Sequence, residues 1–119
     1  MNIILASESK RRIQLLEELK IPFKAIPSKY KELSFNESDK DPAEFALLNA
    51  QKKAEDVANE VENGYVIGMD TIGEYNGRVF EKPNDREHAK EMITALSGTT
   101  HNVITGICIM DAASQDSVQ

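Results

Sequence analysis

The chain has a single cysteine, Cys108, no long apolar run and no excess of positive charge. One thiol excludes an internal disulfide framework and fits a reducing compartment, so a cytoplasmic location is expected. No apolar stretch approaches the roughly 20 residues that a membrane-spanning helix requires. The opening Met1-Asn2-Ile3-Ile4-Leu5 enters a strand-like run at once, without the basic-then-apolar profile of a signal peptide. Lys and Arg number 14 against 20 Asp and Glu, a net charge of -6. That balance argues against nucleic acid or an anionic membrane as a partner, because both require a basic surface. Spacings of the CxxC, HExxH, P-loop and GxGxxG kinds are absent, as are internal repeats, low-complexity tracts and any visible domain boundary.

What remains is an ordinary globular balance. The 119 residues, 40% hydrophobic and 29% charged, suffice for one compact domain over residues 1–119 with a modest core. Ile3, Ile4, Leu5 and Ala6 form a continuous apolar run, as in a strand covered on both faces. Ser7 and Ser9 follow as candidate helix caps. Ile13, Leu16 and Leu19, with Leu15 alongside, recur as on an amphipathic helix of about three turns, which Ile21-Pro22 ends. Residues 23–26 read as a second strand and 28–41 as a polar loop. Asp41-Pro42-Ala43-Glu44 opens the most clearly marked helix: a capping Asp, Pro at the first helical position, and Glu three residues after the cap. Its apolar positions Leu47, Ala50, Ala54, Val57, Ala58 and Val61 run to a stop at Asn63-Gly64.

A strand at 65–68 comes next. A hairpin then turns at Asn76-Gly77 between Glu74-Tyr75 and Arg78-Val79-Phe80. Pro83-Asn84-Asp85 caps a helix whose inner face is Ala89, Met92, Ile93 and Leu96 and whose stop is Gly98, and a long strand covers 101–110. The order β-α-β-loop-α-β-hairpin-α-β predicts an α/β fold, a mixed twisted sheet with flanking helices. The last strand runs into a turn-like stretch at 111–116, so the sheet is expected to be unfinished there. Its exposed apolar edge would invite a second copy, forming a homodimer.

Several segments carry groups that chemistry could use. At Ser7-Glu8-Ser9-Lys10-Arg11-Arg12, hydroxyls and backbone N–H groups at a helix start, flanked by cations, make an anion site. Arg presents a fork of donors suited to phosphate oxygens and Lys a mobile point charge. The competing reading makes Ser9 a simple cap and leaves Lys10, Arg11 and Arg12 solvated. Gly68-Met69-Asp70-Thr71 stands at the end of a buried strand, where α/β proteins gather ligand chemistry. Asp70 there would bind a divalent cation or activate water, unless it merely forms a turn. Pro83 would hold Lys82 on a fixed trajectory, although an exposed, ion-pairing Lys82 is the plainer reading.

Of Lys52 and Lys53 on the long helix, one turning inward competes with a face that is only solvated. Leu96-Ser97-Gly98-Thr99-Thr100-His101 offers small hydroxyl residues that a helix C-cap explains equally. His88 and His101 have no sequence-evident partner and Cys108 lies in an apolar strand, so no Cys–His or Ser–His–Asp nucleophile is expected. Cations at Arg11, Arg12, Lys53 and Lys82, together with carboxylates at Glu32 and Asp70, suit a polyphosphate ester and Mg²⁺.

Taken together, these segments resemble the Maf family of nucleoside triphosphate pyrophosphatases. Leu5-Ala6-Ser7-Glu8-Ser9-Lys10-Arg11-Arg12 with Leu15-Leu16 is similar to the family's LAS-x-SPRR-x-x-LL, and Ile67-Gly68-Met69-Asp70-Thr71 to its IGADT. Glu81-Lys82-Pro83-x-Asp85 matches (G/E)KPxD, and Leu96-Ser97-Gly98-x-x-His101-x-Val103-x-Thr105-Gly106 matches LSGxxHxVxTG. Ala50-Gln51-Lys52-Lys53-Ala54 fits the A-x-x-KA helix. These motifs stand in the family's order along essentially the whole chain.

The resemblance implies a Maf/ITPase-like fold and hydrolysis of a nucleoside triphosphate between its α and β phosphates, with Mg²⁺ or Mn²⁺ as cofactor. By that analogy Asp70 is the general base or metal-organising carboxylate and Glu32 a second metal-binding acid. Arg12, Lys53 and Lys82 would hold the triphosphate, with Ser7, Ser9 and Arg11 at the helix start. Arg12 and Thr71 look like the branch acting on dTTP and UTP, whereas a sister branch prefers 7-methyl-GTP. Lys10 replaces the family's Pro, and family members run well beyond this length. The second expectation, from a different functional class, is therefore a non-catalytic nucleotide-binding remnant.

Overall fold

The computed structural model describes residues 2–7, 9–31, 35, 40–75, 78–80, 86–96, 98 and 102–119. Glu8, Glu32, the Asn76-Gly77 turn, Lys82, the Pro83-Asn84-Asp85 cap, Ser97 and His101 lie outside the described residues, as do the side chains of His88, Ala89 and Leu96. Along the chain come β1 (Ile3–Leu5), α1 (Lys10–Glu18), β2 (Lys24–Ala25), α2 (Pro42–Ala58), β3 (Tyr65–Tyr75), β4 (Arg78–Phe80), α3 (Arg86–Leu96), β5 (Asn102–Asp111) and β6 (Ser117–Val118).

The strands form a six-stranded sheet in the order β2-β1-β3-β5-β6, with β4 paired to β3. β1 lies parallel to β2 and β3, whereas the β3–β4, β3–β5 and β5–β6 pairs are antiparallel. This is the mixed α/β sheet that the element order predicted. β3 and β4 pair antiparallel, with Tyr75 opposite Arg78. The strand expected at 65–68 continues without a break to Tyr75.

Helix α2 organises the core. Asp41 Oδ1 accepts the Glu44 N–H at 2.8 Å, and Pro42 occupies the first turn, so the start follows its capping signature. The helix ends at Ala58 rather than running on to Asn63-Gly64. The Glu60 N–H donates to Val57 O, tightening the last turn, and the chain leaves the helix at Asn59, a weak helix former. Val61 still packs on the core from the connection, and Gly64, at φ 116°, turns the chain into β3. The buried stripe is Phe45, Ala46, Asn49, Ala50, Ala54, Val57 and Ala58, with Leu47 beside it and only half-buried.

This stripe lies on β3 and β5. Burial alternates along both strands, with Val66, Gly68, Asp70 and Ile72 of β3 and Gly106, Cys108 and Met110 of β5 turned toward α2, as a two-residue period requires. The approach is backbone to backbone. A Cβ on Gly68 would collide with the Ala50 carbonyl oxygen, and one on Gly106 would stand 2.6 Å from the Ala46 carbonyl. One core cluster joins Ile4, Ala6, Ala50, Ala54, Val57, Val66, Cys108 and Met110. A second, smaller one gathers Phe45, Ala46 and Ile72, with the Phe35 ring edge-on to Phe45 at 5.4 Å.

The other two helices depart from expectation. Among the described residues α1 buries no side chain fully: Ile13 and Leu16 are half-buried, while Leu15 and Leu19 are exposed. The strands flanking it in sequence, β1 and β2, are three and two residues long and offer little surface to cover. On α3, Met92 is half-buried, but Ile93, expected on the inner face, is 70% exposed. The partner strand for β5 is the short β6, which pairs only with Ile109 and Met110.

Candidate functional site

The site begins where β1 ends. Leu5 is the last β1 residue in register with β3, opposite Ile67, and the Ala6 N–H closes the pairing by donating to Ile67 O at 2.9 Å. β3 continues past that point, and its edge at Met69 is taken by a side chain instead. Arg12 Nη1 donates to Met69 O at 3.0 Å and Nη2 to Thr71 Oγ1 at 3.4 Å. Thr71 Oγ1 lies 3.1 Å from Thr105 Oγ1, directly across the β3–β5 ladder. Among the described residues the Arg12 guanidinium has no carboxylate partner and meets neutral oxygens.

Asp70 points to the opposite face of β3, under α2. It is 7% exposed and receives two donors from one turn of that helix. Lys53 Nζ stands 3.3 Å from Oδ1, and Asn49 Nδ2 donates to Oδ2 at 3.2 Å. Residues four apart share a helix face, so the 49/53 pair straddles a single carboxylate. Burying a carboxylate is costly unless charge and hydrogen bonds compensate it, and α2 supplies both. Asp70 sits neither at a strand end nor in a turn, since β3 runs unbroken through it. The parallel part of the sheet ends just before it, and the site occupies that step.

The remaining expected residues divide. Lys53 turns inward, whereas Lys52 makes a 3.5 Å surface pair with Glu55. Ser9 caps α1, its Oγ accepting the Arg12 N–H at 3.5 Å, and Ser7 Oγ accepts the Ser9 N–H at 3.0 Å. Arg11 is exposed and has no hydrogen-bond or ion-pair partner among the described residues. Burial pushes the Cys108 thiol above its usual pKa, only partly offset by a hydrogen bond with Ser117, which suits an inert core residue.

The reading from sequence did not single out Asn49 or Thr105. Asn49 had a faint signal, a polar residue on a small-residue stripe four positions before Lys53. Thr105 had none apart from its place in a motif, because its role depends on register with Thr71.

Among the described residues no group of three or more His, Cys, Asp or Glu side chains forms a metal cluster. Asp70 nevertheless offers a hard oxygen donor of the kind Mg²⁺ and Mn²⁺ accept, and Mg²⁺ commonly binds through one or two carboxylates plus waters and substrate phosphates. The donor chemistry therefore fits such a cation. No helix among the described residues is long and apolar enough to cross a membrane.

A family model described as "Maf-like protein" matches residues 2–119. A "dTTP/UTP pyrophosphatase" of Ruminiclostridium cellulolyticum is 46% identical over 110 residues, covering 92% of this chain and 56% of the relative. One of the same name from Clostridium tetani is 42% identical over 119 residues, covering 97% of this chain and 60% of the relative. The chain thus spans a little over half the length of these curated relatives. Among solved structures, a HAM1 protein from Coxiella burnetii superposes with a TM-score of 0.55 at 16% identity, covering 99% of this chain and 68% of that one. A nucleoside-triphosphatase / dITP/XTP pyrophosphatase from Mycobacterium abscessus gives 0.52 at 13%, covering 99% and 69%. At these identities the structural likeness concerns the fold.

Proposed function

The chain belongs to the Maf family, and from that membership we propose that it is a nucleoside triphosphate pyrophosphatase acting on dTTP and UTP. The observation that carries the reading is the β3 step, where a buried carboxylate, Asp70, is held by Lys53 on one face and the Arg12 guanidinium is anchored on the residues to either side of it. The names of the relatives support the choice of substrate. Arg12, Lys53 and Lys82 hold the triphosphate, with Arg11 and the hydroxyls of Ser7 and Ser9 at the start of α1 and Thr71 beside the nucleotide.

Water attacks the α-phosphorus, forming a new P–O bond. The bond from that phosphorus to the α–β bridging oxygen breaks, and pyrophosphate leaves with the electron pair. Asp70 takes the proton released by the water on a carboxylate oxygen. A Mg²⁺ or Mn²⁺ ion at Asp70 and Glu32 would neutralise triphosphate charge and polarise the phosphoryl oxygens. Arg12, Lys53 and Lys82 would meet the charge growing on the leaving group. The same reading places the protein in a reducing cytoplasm, with a second copy of the chain as its macromolecular partner and neither nucleic acid nor membrane involved.

The test is release of pyrophosphate from dTTP and UTP with Mg²⁺ or Mn²⁺. Asp70→Asn is expected to lower kcat by about 10²–10⁴-fold, the usual worth of a positioned acid or base, with folding retained. Nucleotide binding without any turnover by the unsubstituted chain would instead identify a non-catalytic binding remnant.

A further inference from the structure

We propose that Asn49 sets the orientation of the Asp70 carboxylate and is a positioning residue for the reaction described above, on which this inference rests. Asn49 is 1% exposed, on a stripe otherwise made of Phe45, Ala46, Ala50, Ala54, Val57 and Ala58. A buried primary amide is unfavourable unless its hydrogen bonds are made, and any small apolar residue would satisfy the packing. Its Nδ2 donates to Asp70 Oδ2 at 3.2 Å, while Lys53 takes Oδ1 at 3.3 Å.

The two donors do different work. The Lys53 ammonium is a point charge on a flexible four-carbon stem and can follow the carboxylate as it turns. Asn49 has a short side chain fixed by the core, and the position of its backbone is itself fixed. Helix α2 touches β3 and β5 through Gly68 and Gly106, and Gly106 is the residue opposite Asp70 in register. There is no slack through which Asn49 could withdraw. With Asn49 present, each carboxylate oxygen has its own donor and the carboxylate plane is pinned. Without it, Oδ2 loses that donor, and the oxygen that meets a cation or water is held less firmly in its orientation. Outer partners that orient a ligating group typically matter by 10–100-fold in affinity or activity.

The experiment compares the unsubstituted chain with Asn49→Leu, which keeps the branching at Cγ but removes the donor, and with Asn49→Asp, which keeps the shape and replaces the donor by an acceptor. With dTTP, both variants are expected to lose about tenfold or more in kcat while KM changes less than twofold, since Asn49 is placed against Asp70 and not against the nucleotide. Independently of turnover, Mn²⁺ binding followed by electron paramagnetic resonance is expected to weaken about tenfold in Asn49→Leu. In the unsubstituted protein, the Asn49 side-chain amide signal in a ¹⁵N spectrum is expected to be protected from exchange and to shift on Mg²⁺ addition. That measurement stands even if a variant fails to fold. Folded variants with unchanged kcat and unchanged Mn²⁺ affinity would overturn the proposal, as would a rapidly exchanging amide indifferent to Mg²⁺. If Asp70→Asn retains full turnover, the catalytic reading fails instead. If Asp70→Asn is inactive while the Asn49 variants behave as the parent, only the positioning role is lost.

Discussion

Lys20 closes helix α1 in the left-handed region, at φ 59°. Its N–H donates to Glu17 O at 3.0 Å and the following Ile21 N–H to Leu16 O at 3.4 Å, the paired bonds of a Schellman end, where glycine is favoured. A lysine there carries the Cβ clash that makes left-handed backbone unfavourable for L-residues by about 1–2 kcal/mol. Replacing it with glycine removes that clash but adds chain entropy to the unfolded state. Lys20→Gly is therefore expected to raise stability by about 0.5–1 kcal/mol, measured by urea denaturation. A fall in the midpoint would show that the left-handed turn is not kept in solution. Residue-scale strain of this kind contrasts with Asp70, whose burial is offset by donors from Lys53 and Asn49.

Between elements, the decisive contact is the close approach of α2 to the sheet. Gly68 faces the Ala50 carbonyl so directly that a methyl group must push the helix outward, and no flexible side chain is available to give way. Gly68→Ala is expected to cost about 1–3 kcal/mol, in line with overpacked cores, and to lower activity as Lys53 and Asn49 move off Asp70. A thermal melt and a dTTP turnover assay check the two parts.

The start of α2 adds a pH signature. The Glu44 backbone N–H bonded to Asp41 holds that carboxyl below its ordinary value of 3.8. The native state therefore binds this proton less readily than the unfolded chain. The contribution of the cap is complete above 3.8 and disappears as the pH falls through the lowered native value. Glu44, raised above 4.5 by its hydrogen bond with Asp41 and the charge beside it, works the other way and withdraws part of that benefit as the pH rises through its own titration. Asp41→Ala is expected to lower Tm at about pH 5, with the gap closing well below pH 3.8. A gap that persists unchanged in strong acid would show that an ionised Asp41 is not the cap.

At the scale of the whole molecule, α2 covers one face of the sheet and leaves the central part of the other face apolar. Tyr65 of β3, Val103, Ile107 and Ile109 of β5 and Val118 of β6 all stand on that second face by their register, and all are exposed. Exposed apolar side chains gathered on one face mark an interaction surface, and the edge of β5 beside it is paired only at its end by β6. Self-association of the chain is therefore expected at micromolar concentration in sedimentation velocity. Ile109→Glu, on the exposed side of β5, is expected to abolish it while leaving Tm nearly unchanged. A monomer across the full concentration range would count against the homodimer.

Much of the architecture could be read without coordinates because its causes are local. The Asp-Pro-Ala-Glu start of α2 depends on a few adjacent residues and landed where the pattern put it, and the strands on either side of Asn76-Gly77 pair antiparallel as expected. Asp70 and Lys53 were legible as candidates by residue type and motif. Their pairing was not, because it requires β3 to run straight through Asp70 and α2 to lie within backbone contact of it. Asn49 and Thr105 become functional candidates only through helix–sheet contact and strand register, and the exposure of Ile93 and Leu15 likewise depends on what covers their helices. Periodicity in the chain determined which residues could share a face. Which face meets a partner, and which polar groups then find each other, was decided by packing across distant segments, where no local propensity operates.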